Sequence, residues 1–159
     1  MTEIFRERMT ADVDGEFAVF IIGMRINKLW KIHKWLPVSM SMPKMIKELY
    51  ENPEMGLMGH ESWVGRTTVM IQYWKSFDHL EKYAKDRNSN HLPAWTEFNK
   101  KIGSSGDVGI WHETYISKKG NYECVYNNMP RFGLAKVGRH LSATGALKSA
   151  AGRMKRENT

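Results

Sequence analysis

An uninterrupted apolar segment near the start of the chain limits the folds open to it. Residues 17–24 read Phe-Ala-Val-Phe-Ile-Ile-Gly-Met, and the run continues through Arg25 to Ile26. A strand points successive side chains to opposite faces of its sheet, so a strand that is apolar throughout needs cover on both faces. The segment therefore predicts a central strand, with helices on one side of the sheet and further protein on the other.

The elements that follow complete a recognisable order. Apolar spacing predicts a helix from residue 27 that Pro37 breaks, and a second helix capped by Ser41. Alternation and β-forming residues then predict a hairpin, with strands over residues 57–65 and 67–74. Two short helices over residues 76–85 and 91–102 and a last strand over residues 108–117 are predicted to follow. The order β-α-β-β-α-β predicts an α+β, ferredoxin-like fold.

Such a sheet carries helices on one face only, so its other face needs a different cover. A second copy of the same sheet is the simplest cover, which predicts a homodimer that closes into a dimeric α/β barrel. The expected organisation is an N-terminal arm over residues 1–15, a ferredoxin-like domain over 16–135, and a basic, weakly ordered tail over 136–159. The domain is expected to end in a strap, residues 127–134, folded over the pocket mouth or the partner. A chain ending at residue 140 is expected to fold.

Composition excludes several classes of function. The single cysteine, Cys124, allows no internal disulfide and no cysteine-based zinc site. The net charge is +7, but residues 136–156 hold six Lys and Arg and no acid, which describes a basic tail rather than a nucleic-acid-binding face. Because no signal peptide and no apolar run of about 20 residues occurs, we expect a cytoplasmic protein that binds neither membranes nor specific nucleic acids.

Several segments together resemble a known family. They are Phe20–Trp30, Gly65–Thr68, Gln72–Trp74, His91–Trp95, Gly109–Tyr115 and Asn128–Leu134. Over roughly residues 3–135 the chain resembles a monooxygenase-like family of bacteria and fungi, named after a monooxygenase of the fumagillin pathway. That family looks like part of the dimeric α/β-barrel superfamily, which contains antibiotic-biosynthesis monooxygenases that work without metal or flavin. The superfamily also contains haem enzymes, such as aldoxime dehydratases and chlorite-dismutase-like proteins.

The resemblance implies a pocket between sheet and helices, and two histidines are the first candidates to act there. His91 begins a predicted helix and His112 lies in the middle of the last strand. A neutral imidazole in a pocket can act as a general base or bind haem iron. Glu113 and Tyr115 share the opposite face of the same strand and are acid–base candidates if that face borders the pocket.

The candidates for substrate binding are aromatic and cationic. Arg25 and Arg66 could hold an anionic substrate or a haem propionate, and Asn27 shares a face with Arg25. The remaining candidates are aromatic: Trp63, Tyr73, Trp95 and Trp111.

Three functions fit these residues. The first is a small oxidoreductase, a cofactor-independent monooxygenase-like enzyme acting on an aromatic or other small hydrophobic metabolite. The second is a haem b enzyme of aldoxime-dehydratase or chlorite-dismutase-like type, with His112 or His91 as the iron ligand. The third is a non-catalytic protein that binds a small molecule.

Overall fold

The computed structural model describes residues 2–155, which form six strands and five α-helices. In chain order these are β1 (Met9–Asp12), β2 (Glu16–Ile26), α1 (Ile32–Glu51), β3 (Leu57–Trp63), β4 (Val69–Trp74), α2 (Phe77–Lys85), α3 (His91–Lys101), β5 (Val108–Lys118), α4 (Leu134–Val137), β6 (Arg139–Ser142) and α5 (Ala150–Met154).

A four-stranded antiparallel sheet forms the centre of the molecule, in the order β3-β4-β2-β5. Strand β2 pairs with β5 over its whole length, from Glu16 opposite Lys118 to Ile26 opposite Val108. It pairs with β4 on its other side, where Ala18 lies opposite Trp74. The central position of the apolar strand and the order of its neighbours confirm the α+β, ferredoxin-like prediction.

The first helix differs from the prediction. The break at Pro37 is wrong, because α1 runs from Ile32 to Glu51 with Pro37 and Pro43 both inside it. Each proline removes one backbone hydrogen bond, but burial of one face holds the helix together. Ser41 is not a cap: its hydroxyl donates to the Pro37 carbonyl at 3.0 Å, one turn earlier in the same helix.

The core on the helix face of the sheet is built from α1, α2 and the strands they cover. Leu49 of α1 and Trp74 of β4 are almost fully buried there, and Leu80 and Tyr83 of α2 pack against the same cluster. Burying each such side chain contributes about 2 kcal/mol. Ser76 caps α2 as predicted, since its hydroxyl accepts the His79 amide at 3.3 Å.

The far face of the sheet, which we call the second face, is covered in part by the chain itself. Phe17 and Tyr73 of the sheet pack there against Leu134 and Ala135, with Tyr122, Cys124, Tyr126 and Val137 around them. The Gly133 amide at the end of the strap donates to the Glu61 carboxylate at 2.9 Å. The strap therefore lies on the second face of the same chain, which is why both faces of β2 are apolar near Phe17.

The ends of the chain also differ from the expected arm and weakly ordered tail. β1 of the arm pairs with β6 of the tail, from Met9 opposite Ser142 to Asp12 opposite Arg139. Arg153 of α5 is buried and donates to Glu123 at 2.7 Å, and also to two backbone carbonyls. These long-range contacts order the tail up to residue 155. Within residues 2–155, no helix combines the length and the hydropathy needed to cross a bilayer.

Candidate functional site

A cavity of about 390 Å³ lies between the helix face of the sheet and the helices α1 and α3. Its sheet wall comes from neighbouring strands and consists mainly of Ile22, Met24, Met70, Ile110 and His112. Its helix wall consists mainly of Val38, Met42, Met45, His91, Ala94, Trp95, Phe98 and Ile102. Cavities of this size, apolar with a few polar groups, are typical binding sites for small molecules.

Strand parity decides which residues of β5 reach this cavity. His112 lies opposite Ile22 in the β2–β5 pairing, so both side chains point to the helix face. The His112 ring is exposed to the cavity and contacts the Phe20 ring at a centroid distance of 5.5 Å. Among residues 2–155 no hydrogen-bond partner of this imidazole is found, so both of its nitrogens are open to a bound molecule.

The ring of His91 is held in a fixed orientation at the start of α3. Its Nδ1 lies 3.0 Å from the Ala84 carbonyl oxygen, and since a carbonyl can only accept, Nδ1 carries the proton. In the neutral ring the lone pair is therefore on Nε2. His91 also lines the cavity and packs on the Tyr83 ring. The arrangement presents an imidazole base of defined tautomer to an apolar space.

A carboxylate on α1 supports the start of α3. Glu48 accepts the Tyr83 hydroxyl at 2.8 Å and the Asn90 amide at 3.0 Å, directly before His91. Burial and the hydrogen bond to Glu48 raise the pKa of Tyr83, which therefore stays a neutral donor. The sequence signal for this contact is weak, because Glu48 is one of several charged residues of α1.

A buried glutamine contacts two methionines of the cavity wall. The Gln72 amide nitrogen lies 3.3 Å from Met70 Sδ and 3.9 Å from Met42 Sδ, while Trp74 Nε1 donates to the Gln72 oxygen at 2.9 Å. Both methionines line the cavity. Sequence reasoning noted the methionine content but could not place these side chains.

Two predicted aromatic residues line the cavity, and cations border it. Trp63 and Trp95 are lining residues, and Trp95 stacks on Phe98 with an angle of 14° between the rings. Trp63 ends β3 opposite Val69, so its ring lies toward the second face, where it contacts Phe132 at a centroid distance of 6.0 Å. Lys34 and Lys101 also line the cavity, and Lys34 Nζ donates to the Lys101 carbonyl at 2.8 Å. Lys101 forms a close ion pair with Glu97 on the same helix.

Four predicted site residues lie on the second face of the sheet, away from this cavity. Strand parity places Trp111, Glu113 and Tyr115 there, opposite Gly23, Ile21 and Val19 of β2, and Tyr73 is buried in the second-face core. The Tyr115 hydroxyl donates to Glu113 at 2.6 Å, and this bond raises the pKa of Tyr115. Burial raises the pKa of Tyr73 to about 12. The structure does not bring these residues together with His91 and His112.

The predicted polar residues near the end of β2 contact the neighbouring hairpin. Arg66 donates to the carbonyls of Ile26 at 3.1 Å and Asn27 at 3.3 Å, which ties the β3–β4 connection to the end of β2. Arg25 donates to Thr67 Oγ1 at 2.7 Å. Arg25, Asn27 and Arg66 are not lining residues of the cavity described above.

The side chains around the cavity suit a bound metal ion and a haem to different degrees. Over residues 2–155 no cluster of three His, Cys, Asp or Glu side chains is placed to hold a metal ion. A haem would need one protein ligand to its iron, and His91 is the residue that would supply it. A ligating histidine usually donates its other ring nitrogen to a carbonyl or carboxylate, as His91 does to Ala84. Lys34 at the border could pair with a propionate.

Comparison with known proteins gives the family. The model of the family described as monooxygenase af470-like matches residues 17–134. The chain belongs to the monooxygenase af470-like family. This match spans the four-stranded sheet from Phe17 onward and every residue that lines the cavity, and it confirms the resemblance read from the sequence.

Individual members and structures show further similarity. The chain is 27% identical over 157 residues to monooxygenase af470 of Aspergillus fumigatus, covering 80% of this chain and 53% of the relative. It therefore spans about half the length of that protein. Among solved structures, an aldoxime dehydratase matches 86% of this chain and 46% of its own, with a TM-score of 0.62 and 14% identity. SnoaB, a cofactor-independent oxygenase from Streptomyces nogalater, matches 65% of this chain and 95% of its own, with a TM-score of 0.46 and 12% identity.

Proposed function

We propose that this protein is a monooxygenase-like enzyme that oxidises an aromatic or other small hydrophobic molecule in the cavity, without a resident cofactor. The observation that carries the proposal is the His91 imidazole, whose Nδ1 proton is held by Ala84 while Nε2 remains the basic nitrogen. His112 faces the same cavity from the sheet side. A positioned base in an apolar space is what cofactor-free oxygenation needs.

Deprotonation by the base allows the substrate itself to supply the electrons that reduce dioxygen. His91 Nε2 takes the proton of a phenol-type hydroxyl, and the resulting phenolate is electron-rich enough to react with dioxygen. For a phenol such as 1-naphthol the overall change is phenol plus O₂ to quinone plus water. One oxygen atom enters the product and the other leaves as water, and the substrate supplies all four electrons. His112 hydrogen-bonds the developing oxygen anion.

The cavity walls suit such a substrate. The stacked pair of Trp95 and Phe98 offers flat aromatic surface, and the thioethers of Met42 and Met70 adapt to an irregular ring system. Low local polarity strengthens the interaction of the imidazoles with the anion. For a polar or highly charged substrate, the free-energy cost of desolvation would exceed the free energy gained from contacts with this wall.

Haem binding is a second candidate, supported by the same hydrogen bond. His91 would hold the iron through Nε2, with its orientation fixed by Ala84, and Lys34 would pair with a propionate. The group would supply a redox-active or Lewis-acidic iron in the cavity. His112 would then face the bound substrate from the opposite wall.

Oxygen consumption with 1-naphthol as the probe tests the proposal. We expect uptake by the native chain, and none with 1-methoxynaphthalene, which has no proton for the base. His91→Gln should lower the rate about a hundredfold or more. His33→Gln is the matched control, since His33 is exposed and does not line the cavity.

Three results would contradict the proposal. An unchanged rate in His91→Gln would remove His91 as the base. If 1-naphthol binds but no oxygen is consumed, the non-catalytic binding protein is favoured. Binding is measured here as quenching of the fluorescence of the cavity tryptophans. Activity that appears only after addition of hemin would favour the haem enzyme.

A further inference from the structure

One end of the molecule exposes large apolar side chains next to the cavity. We call these side chains the rim patch, and they are Leu29, Trp30, Ile32, Leu36, Trp63 and Val64. Trp30 is 75% exposed and Val64 is 95% exposed. Isolated exposed apolar residues are ordinary, but a group of this size on one end points to an interaction surface.

Hydrogen bonds show that these residues come from segments that meet. Arg66, two residues after Val64, donates to the carbonyls of Ile26 and Asn27, just before Leu29. Trp35 Nε1 donates to the Leu29 carbonyl at 3.0 Å, which ties the loop back onto α1. The β3–β4 connection, the loop after β2 and the first turn of α1 therefore form one surface.

The same end opens on the cavity. Val64 and Trp63 of the rim patch line the cavity themselves, together with Lys34 and Lys101. A molecule leaving the cavity on this side passes directly over the rim patch. The exposed apolar side chains therefore surround an entrance to the binding space rather than a remote part of the surface.

The charge around the rim patch is positive. Residues 27–36, 63–66 and 97–107 hold six Lys and Arg, namely Lys28, Lys31, Lys34, Arg66, Lys100 and Lys101, against the two acids Glu97 and Asp107. Asp107 is buried and ion-paired with Lys28 at 2.8 Å and Lys31 at 2.9 Å. Glu97 is paired with Lys101. The negative charges are thus neutralised, while Lys34 and Arg66 are bonded to backbone carbonyls.

We propose that the rim patch docks the protein onto the surface of an anionic lipid bilayer. Tryptophan and aliphatic side chains bordered by lysines are the composition of interfacial membrane contacts: the apolar groups enter the acyl boundary and the cations stay with the headgroups. This proposal differs from the sequence-based expectation of no membrane contact. It places the entrance of the apolar cavity against the phase in which lipophilic molecules dissolve.

Vesicle flotation of the full chain tests the docking surface directly. Vesicles of phosphatidylcholine alone are compared with vesicles that also contain phosphatidylglycerol. We expect the protein to float with the anionic vesicles, to bind the neutral ones at least tenfold more weakly, and to be released by high salt, because salt screens exposed charges. The assay contains no substrate, so its outcome is independent of the proposed enzyme activity.

Matched variants separate the rim patch from general surface apolarity. Trp30→Ser with Ile32→Ser should weaken binding to anionic vesicles about tenfold or more. The control is Ile4→Ser with Val125→Ser. Ile4 is 52% exposed and so matches Ile32, which is 54% exposed, and neither control residue belongs to the rim patch. All four side chains are exposed or partly exposed, and circular dichroism checks that both variants fold.

Each remaining outcome overturns the proposal. Absence of flotation with anionic vesicles rules out the bilayer as partner. Equal loss of binding in the two double variants shows that the rim patch is not the contact. A dimer of the native chain that dissociates in the Trp30 and Ile32 variant, with no vesicle binding, assigns the rim patch to an interface between two copies.

Discussion

At the residue scale, strand parity separates the predicted site residues into two groups. The alternation of β5 correctly placed His112 on one face and Glu113 and Tyr115 on the other. Sequence could not say which face carries the helices, because the neighbouring β2 is apolar on both. His91 could be placed at a helix start, but its bond to Ala84 depends on how the α2–α3 connection folds. Its catalytic role, like that of His112, stays a prediction.

The packing around Gly23 leaves no space for a side chain. A Cβ at this position would lie 1.9 Å from the Thr68 carbonyl oxygen and 2.8 Å from Trp111 Nε1. We expect Gly23→Ala to destabilise the fold by about 2–3 kcal/mol, since backbone must shift to admit the methyl group. Urea unfolding measures the effect. Gly109→Ala is the control: its Cβ would have 3.8 Å to the nearest atom, so an equal loss there would contradict the steric explanation.

Asp107 makes stability depend on pH in the acid range. The ammonium groups of Lys28 and Lys31 lower the pKa of this carboxyl from 3.8 to about 2. A carboxyl whose pKa is lowered by folding contributes stability above its unfolded pKa and loses it as the pH falls through the folded pKa. Above pH 4 we therefore expect the native protein to unfold at a higher urea concentration than Asp107→Asn. The difference between the two unfolding midpoints should vanish toward pH 2. A difference that does not change over this window would contradict the assignment.

At the element scale, prediction succeeded where the signal is local and failed where it is long-range. The cap at Ser76 and the strand β2 follow from neighbouring residues. The pairing of β1 with β6 joins positions more than 120 residues apart, and neither short segment shows its partner. The predicted break at Pro37 does not occur, because the buried residues that stabilise α1, Met45, Ile46 and Leu49, lie beyond it.

The tail elements give a clear stability prediction. A chain ending at residue 140 loses half of the β1–β6 pairing, the Ala143 amide bond to Arg8 at 2.7 Å and the buried Arg153–Glu123 pair. We now expect it to fold with a free energy of unfolding lower by about 2–4 kcal/mol. The cavity is built without these elements, so 1-naphthol affinity should be retained. Unchanged stability would show that β6 and α5 contribute nothing to the fold.

At the scale of the whole molecule, the second face of the sheet is the surface on which the predicted homodimer depends. The strap and α4 cover it near Tyr73, but Tyr115 remains 52% exposed and Ile21 and Val69 are partly exposed. The uncovered part of this face also carries the exposed Glu113, and we expect a second copy of the sheet to pack there, so the homodimer stays a prediction. The chain covers part of its own sheet, so a doubly apolar strand does not by itself require a partner.

Light scattering after size exclusion tests the homodimer. We expect the native chain to be dimeric and Tyr115→Arg to weaken the dimer, because the charge would be buried against the partner sheet. Ile116→Arg is the matched control, since Ile116 is 43% exposed and lies on the helix face of the same strand. A monomeric native chain, or equal effects of the two variants, would contradict this assembly.

The central claim is that the cavity works with its own side chains and no resident cofactor. The most direct measurement is the visible absorption spectrum of the purified protein, before and after one equivalent of hemin and gel filtration. The proposed mechanism predicts a featureless spectrum and no retained hemin. A sharp Soret band that survives gel filtration and is lost in His91→Gln would contradict it and establish His91 as a haem ligand.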